Sequence, residues 1–497
     1  MRRIGIGGAV LAIGLLALSG CTADPDDPPQ PTNTEFGQLY TQSVDWGQCG
    51  EDFGVNGDLT AYLKAQGRSL DDITCAMIEA PLDWESPDNR ETIELAVMHV
   101  PATGPEKRGT LFGNPGGPGA SGIDYVLGMM GTPSFAPILE QYDLIGFDPR
   151  GIGRSAPLRC DVESTIREVQ LAVCAQHSPL ARTMGTSQVA RDMDLLRALQ
   201  GERRLDYLGY SYGTILGATY ATLFPERVGR MVLDSSIDSR WASPSGSFAQ
   251  AFAISDQLAS LFRECGALYP VEVCPLTTED DILSMTQRLN ETPLVATDGT
   301  QVNGEMLIGY ATNSLYGRDA GRVIALENIG GALAGEQQQI DDIAKAMAGG
   351  GAAIDLSGLI VTCHSMPDDP DIVGLLAEID SRGMPKLLGG PQITDETIAP
   401  FADVSCGALP GAGDDLEAFK GPVNTTILII GITGDHATPF ESGKNLAKEL
   451  GNTRFLTLEG HGHGASYTGK STCIDDATTA FLLDGDLPPD GTVCQSD

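Results

Sequence analysis

Gly209-Tyr210-Ser211-Tyr212-Gly213 fits G-x-S-x-G, a pattern that presents a serine hydroxyl on a sharp turn between a strand and a helix. A serine hydroxyl is a weak nucleophile. It needs a base to take its proton and a third group to orient that base. Both are available downstream. Asp435 lies in Gly434-Asp435-His436-Ala437-Thr438-Pro439, just after the apolar run Ile427–Ile430. His461 and His463 lie in Gly460-His461-Gly462-His463-Gly464, just after Thr453–Leu458. The chemistry this set can do is acyl transfer. Ser211 attacks a carbonyl, a histidine accepts its proton, Asp435 fixes the imidazole, and water releases the acyl group.

A tetrahedral intermediate needs hydrogen-bond donors for its oxyanion, and removing one typically costs about 2.7–4 kcal/mol of transition-state stabilisation. The Gly/Pro-rich stretch Leu111–Gly119 is suited to supply one from the N–H of Gly116 or Gly117, with Tyr212, the residue after the serine, supplying the other. Phe147–Ser155 (FDPRGIGRS) contains a GxG but not the full dinucleotide-binding pattern. It reads as a structural turn that Asp148 and Arg150 brace by pairing. His461 and His463 have no third ligand placed near them in sequence, and no Cys-x-x-Cys occurs. Neither a metal nor a cofactor is expected.

Such residues need a frame that carries them on loops at one edge. Strands are expected at Thr92–Val100, Gly109–Phe112, Tyr142–Phe147, Leu205–Leu208, Arg230–Asp234, Thr426–Ile430 and Thr453–Leu458, with helices at Thr186–Leu199 and Thr214–Leu223. This alternation implies an α/β chain with a mostly parallel central sheet, and the order Ser, Asp, His is that of the α/β-hydrolase fold. Between about Ile237 and Ala399 the pattern is helical with few strand signals, and Ala346–Ala353 reads as a break. The expected organisation is a core over 41–236 and 400–497 with a helical cap over 237–399.

The first 20 residues read as an export signal: Met1-Arg2-Arg3, an apolar stretch from Ile4 to Leu18, then small residues before Cys21. The apolar stretch is shorter than the ~20 residues of a spanning helix. Leu18-Ser19-Gly20-Cys21 resembles a bacterial lipobox, which implies cleavage before Cys21, a lipid on its thiol and attachment to the outer face of the cell membrane. Residues 21–40, rich in Pro and Asp, form a tether. Ten further cysteines suit disulfides in an exported chain: Cys49, Cys75, Cys160, Cys174, Cys265, Cys274, Cys363, Cys406, Cys473 and Cys494. Nearest-neighbour order is one possible pairing. A formal net charge of -36, with no basic stripe, argues against a nucleic-acid partner.

Together, PGGPG followed by Ser121-Gly122, FDPRGIGRS, GYSYG, GDHATP and GHGHG resemble the secreted tripeptidyl aminopeptidases of actinobacteria, relatives of the proline iminopeptidases. The stretch from Ser471 to Cys494 resembles their C-terminal domain. The resemblance implies that His463, rather than His461, is the catalytic histidine. It also implies release of short peptides from free N-termini, with a cap that restricts access and an acidic residue that holds the amine. One position departs: Ser365 stands where family members often carry an acid, with Asp368 and Asp369 nearby but out of alignment. Two other readings remain. One is a carboxylesterase or lipase acting on small or cell-envelope esters, with the same triad; the other is an inactive lipoprotein binding module.

Overall fold

The computed structural model describes residues 35–54, 60–61, 64, 69, 72–158, 160, 162–270, 274, 276–317, 319–348, 356–367 and 370–497. The signal, Cys21, the tether up to residue 34, most of the expected break at Ala346–Ala353, and Asp368 and Asp369 lie outside the described residues.

Among the described residues, ten strands form one sheet in the order β1-β2-β3-β5-β4-β6-β7-β10-β11-β12. They are β1 (Gly47–Gln48), β2 (Thr74–Pro81), β3 (Thr92–Val100), β4 (Gly109–Asn114), β5 (Tyr142–Phe147), β6 (Leu205–Tyr210) and β7 (Val228–Asp234), then β10 (Ile427–Gly434), β11 (Thr453–His461) and β12 (Val493–Gln495). The β1–β2, β2–β3 and β3–β5 pairs are antiparallel. Every pairing from β5 onward across the sheet is parallel.

The inner strands read as apolar runs because both faces are covered. Side chains of a strand alternate between faces. Ile427 and Ile429 accordingly join one buried layer, with Val189 and Met193 of the helix Thr186–Leu199 and Ile215 of the helix Tyr212–Leu223. Leu428 and Ile430 join the opposite layer, with Ile123 and Val126 of the helix Gly122–Met130 and Phe481 of the helix Thr472–Asp484.

Between β7 and β10 the described chain is helical apart from a two-stranded ribbon of Leu294–Val295 (β8) and Gln301–Val302 (β9). Its longest helix, Pro244–Leu268, shares a separate core with Ile282, Leu307, Ile329 and Ile343. Farther along, Ile360 and Cys363 pack instead into one of the layers against the sheet. Among the described residues, five disulfides join Cys49–Cys75, Cys160–Cys174, Cys265–Cys274, Cys363–Cys406 and Cys473–Cys494, each linking nearest neighbours in sequence. That density suits a chain exported to an oxidising compartment. Among the described residues no helix is long and apolar enough to cross a membrane.

The loop after β5 is braced, though not by Asp148 pairing with Arg150. Asp148 accepts from Ser121 Oγ at 2.5 Å and from the backbone and guanidinium of Arg154. Arg150, fully buried, forks onto Asp192 at 2.8 and 2.6 Å and donates to the carbonyls of Pro81, Leu82 and Thr183. Trp84 Nε1 donates to the same Asp192 at 2.8 Å. Removing one member of a fully buried pair strands the other charge. Asp192→Ala is therefore expected to destabilise the fold by about 3–5 kcal/mol. Urea denaturation checks this, and a loss below 1 kcal/mol would contradict it.

Candidate active site

The C-terminal ends of the parallel strands all open on one edge, where ligands bind in open α/β sheets. Ser211 follows β6 directly and caps the helix Tyr212–Leu223. Its backbone is at φ 54°, ψ -128°, a strained conformation for a residue with a side chain. The turn is tight enough that a Cβ on Gly213 would lie 2.8 Å from the Asn114 carbonyl oxygen. The elbow is held by Ser211 N–H donating to the Asp234 carbonyl at 3.1 Å and by Tyr207 Oη donating to the Gly213 carbonyl at 2.8 Å.

The loop after β4 lies against this elbow. A Cβ on Gly116 would come within 2.9 Å of both Tyr212 N and Ser211 Cβ, so only glycine permits the approach. The N–H of Gly116 donates to Asn114 Oδ1 at 2.9 Å. Of the two expected loop donors Gly116 is therefore already engaged. Gly117 lines the same cavity as Ser211, and Tyr212 N–H opens the helix, where no intrahelical partner exists.

Asp435 leaves the end of β10, and His463 follows β11 by two residues. His463 Nδ1 is 3.1 and 3.0 Å from the two carboxylate oxygens of Asp435. A carboxylate only accepts, so Nδ1 carries the proton and Nε2 is left as the basic nitrogen. Asp435 is buried and also accepts from Ala437 N, Thr438 N and Thr438 Oγ1 at 2.9, 2.9 and 2.8 Å. Burial pushes its carboxyl up, but the His463 charge and hydrogen bond, with the Thr438 donors, outweigh this and hold it below the ordinary range. The converse applies to His463. Burial favours its neutral form, yet the Asp435 charge and hydrogen bond, aided by Asp234, raise its pKa above 6.5.

His461 points elsewhere, with its Nδ1 3.0 Å from Gln257 Oε1. The structure thus brings His463, and not His461, to Asp435. Among the described residues no three His, Cys, Asp or Glu side chains cluster as metal ligands.

Several residues that the sequence did not single out support the pair. Asp234, buried at the end of β7, accepts from Ala465 N, Ser466 N and Ser466 Oγ. Ser235 Oγ accepts from Gly464 N at 2.8 Å, and Lys470 Nζ donates to the His463 carbonyl at 3.1 Å. The loop that carries His463 is thereby pinned to the end of β7. An aspartate at a strand end was the available signal, but many turns begin that way.

Ser211 opens into a cavity of about 350 Å³ whose walls include Trp241, Leu359, Met366 and Phe401. Two acids also line it. Asp238 pairs with Arg240 at 3.0 Å, and Asp403 pairs with Arg167. Ser365 does not line this space. Its Oγ donates to Asp415 Oδ2 at 2.8 Å, and Asp415 also accepts from Thr186 N and Ser187 N.

Residues 110–259 match the family described as alpha/beta hydrolase fold, and residues 399–494 match the family described as TAP-like protein. Serine protease Hip1 of Mycobacterium tuberculosis is 28% identical over 530 aligned residues, covering 98% of this chain and 96% of that protein. Carboxylesterase B of the same species is 29% identical, covering 99% of each. Tripeptidyl aminopeptidase of Streptomyces coelicolor is 27% identical, covering 91% of this chain and 86% of its own. These relatives run nearly the full length of the sheet and its insertion, and the matched segments hold the strand ends where the serine, acid and histidine sit. The chain is a serine hydrolase that carries an alpha/beta hydrolase fold domain and a TAP-like domain, and it is similar over nearly its whole length to hydrolases of that kind.

Proposed function

We propose that the protein is an exported aminopeptidase that releases short peptides, such as tripeptides, from free N-termini through an acyl-enzyme on Ser211. His463 Nε2 takes the Ser211 proton as the hydroxyl attacks the carbonyl. Asp435 holds the imidazole and stabilises its charged form. The N–H groups of Gly117 and Tyr212 receive the oxyanion. His463 then protonates the leaving amine, and water attacks the ester with His463 again as base. The observation that carries this reading is the contact of His463 Nδ1 with Asp435 beside a serine held in a strained elbow. The helices between β7 and β10, expected over 237–399, act as the cap that limits the cavity to chain ends.

Peptidase activity draws support from two relatives named for it. Asp238 and Asp403 lie in the cavity wall, but each is paired with an arginine that lines the same cavity, so a substrate ammonium must compete with Arg240 and Arg167 for them. The esterase reading has its own support. One relative is named a carboxylesterase, and Ser365 leaves the usual acidic position neutral and turned toward Asp415. Free tripeptide amides, N-acetylated tripeptide amides and a p-nitrophenyl ester separate the two. Cleavage of free but not acetylated peptides is expected. Cleavage of the ester alone would overturn the peptidase reading.

We further propose that the lipobox-like Leu18–Cys21 directs a lipid to Cys21, which would hold the mature chain on the outer face of the membrane. Labelled palmitate should enter the wild-type chain and not Cys21→Ala; equal labelling would contradict this attachment.

A further inference from the structure

The acid and base loops are held from the insertion as well as from the sheet. Gln250, on the helix Pro244–Leu268, donates from Nε2 to the Ala437 carbonyl at 2.6 Å, two residues past Asp435. Gln257, on the same helix, meets His461. A third contact comes from Tyr316, just past the helix Gly304–Ser314. Its ring stands edge-on to His463, with centroids 5.6 Å apart and planes at 89°. The same ring stands edge-on to His436 at 4.4 Å and 86°.

His436 completes the group. It is buried, its ring centroid is 6.3 Å from that of His463, and neither ring nitrogen has a hydrogen-bond partner among the described residues. Burial pushes its pKa down to about 4, against the pull of Asp435, so it packs as a neutral ring near neutral pH. The backbone next to Tyr316 sits equally close. A Cβ on Gly462 would lie 2.8 Å from the Gly317 carbonyl. Edge-to-face packing at such distances is directional, so it sets ring orientation as well as excluding water.

We propose that Tyr316 is a positioning residue for His463: its ring, delivered by the insertion, keeps the imidazole turned onto Asp435, so that a seated insertion and a competent base go together. The inference rests on the assignment of His463 as the base. Tyr316 acts through His463 and has no chemical step of its own.

Tyr316→Ala and Tyr316→Phe test this with p-nitrophenyl acetate, whose acyl group is too small to fill the cavity. Tyr316 is 51% exposed, so truncation leaves no large buried void, and a thermal melt confirms folding. Tyr316→Ala should lower kcat by about tenfold or more and change KM by less than about twofold. Tyr316→Phe, which keeps the ring, should stay within about twofold of wild type. An unchanged kcat in Tyr316→Ala, a loss confined to KM, or an equal loss in Tyr316→Phe would each overturn the inference while leaving the Ser211–His463 reading intact. Wild-type turnover by His463→Ala would instead remove that reading, and the inference with it.

Discussion

Asp435→Asn should lower kcat by about 10⁴-fold while leaving the fold in place. Hydrogen-bond direction at Asp435 dictates this loss. Ala437 N and Thr438 N both donate to Asp435 Oδ1, so in the variant that site must keep the amide oxygen. The new amide nitrogen then occupies the Oδ2 position, 3.0 Å from His463 Nδ1. The amide oxygen at Oδ1 still lies 3.1 Å from Nδ1, but the donor at the nearer Oδ2 site favours an accepting Nδ1 and a ring proton on Nε2. Nε2 can then no longer take the Ser211 proton.

The pH dependence of this variant has a definite sign. In the wild type the Asp435 charge and hydrogen bond overcome burial and raise the His463 pKa above 6.5. Activity needs the neutral imidazole, so it falls as pH drops through that raised value. In Asp435→Asn the raising charge is gone and burial remains, so the acid limb of kcat/KM should move to lower pH. Profiles of both proteins on one ester check this. A limb that stays in place, or a loss under about tenfold, would mean that another carboxylate serves His463. Asp234, which also helps raise the His463 pKa, is then the first to replace.

Ser211→Ala should have the largest effect, lowering kcat by about 10⁶-fold, since the nucleophile and base act as one unit. What survives should be the contribution of the oxyanion donors and binding, about 10³–10⁴ over the uncatalysed reaction. KM should change little. A second substitution, His463→Ala in the Ser211→Ala background, should cost almost nothing more, because a base without its nucleophile has nothing to deprotonate. Initial rates on one activated ester suffice for both measurements. Additive losses would show that His463 works independently of Ser211.

The frame was legible in the sequence where its inner strands are apolar on both faces. Tyr142–Phe147 has the same bounds in sequence and structure, as does the helix Thr186–Leu199. The strand β2 was not foreseen, because Ala76, Glu79 and Ala80 are weak strand formers and the run ends at Pro81. Its partner β3 supplies the pairing that its own residues do not advertise. β12, three residues long, leaves no periodic signal at all.

At the site, the serine, acid and histidine loops could be read because each combines a strand with a turn of fixed chemistry. Local spacing alone could not separate His461 from His463, and the resemblance to a family was needed. In the structure the reason is register. His461 pairs beside Gly434 as the last residue of β11, while His463 lies beyond the strand on a loop that Asp234 and Ser235 draw toward Asp435. What distinguishes Gly116 from Gly117 is the Asn114 side chain, which takes the Gly116 N–H and whose direction no sequence pattern gives. Tyr316 was out of reach for a related reason: its role depends on how a distant insertion packs, and no local motif surrounds it.

The most direct test of the account is covalent. A fluorophosphonate added to the folded protein should form one adduct per chain, seen as a single mass increment and mapped by digestion to the peptide containing Ser211. Ser211→Ala should remain unmodified under the same conditions. An unlabelled wild type, or an adduct mapped to any other serine, would contradict the assignment of Ser211 as the nucleophile and the acyl-enzyme route with it.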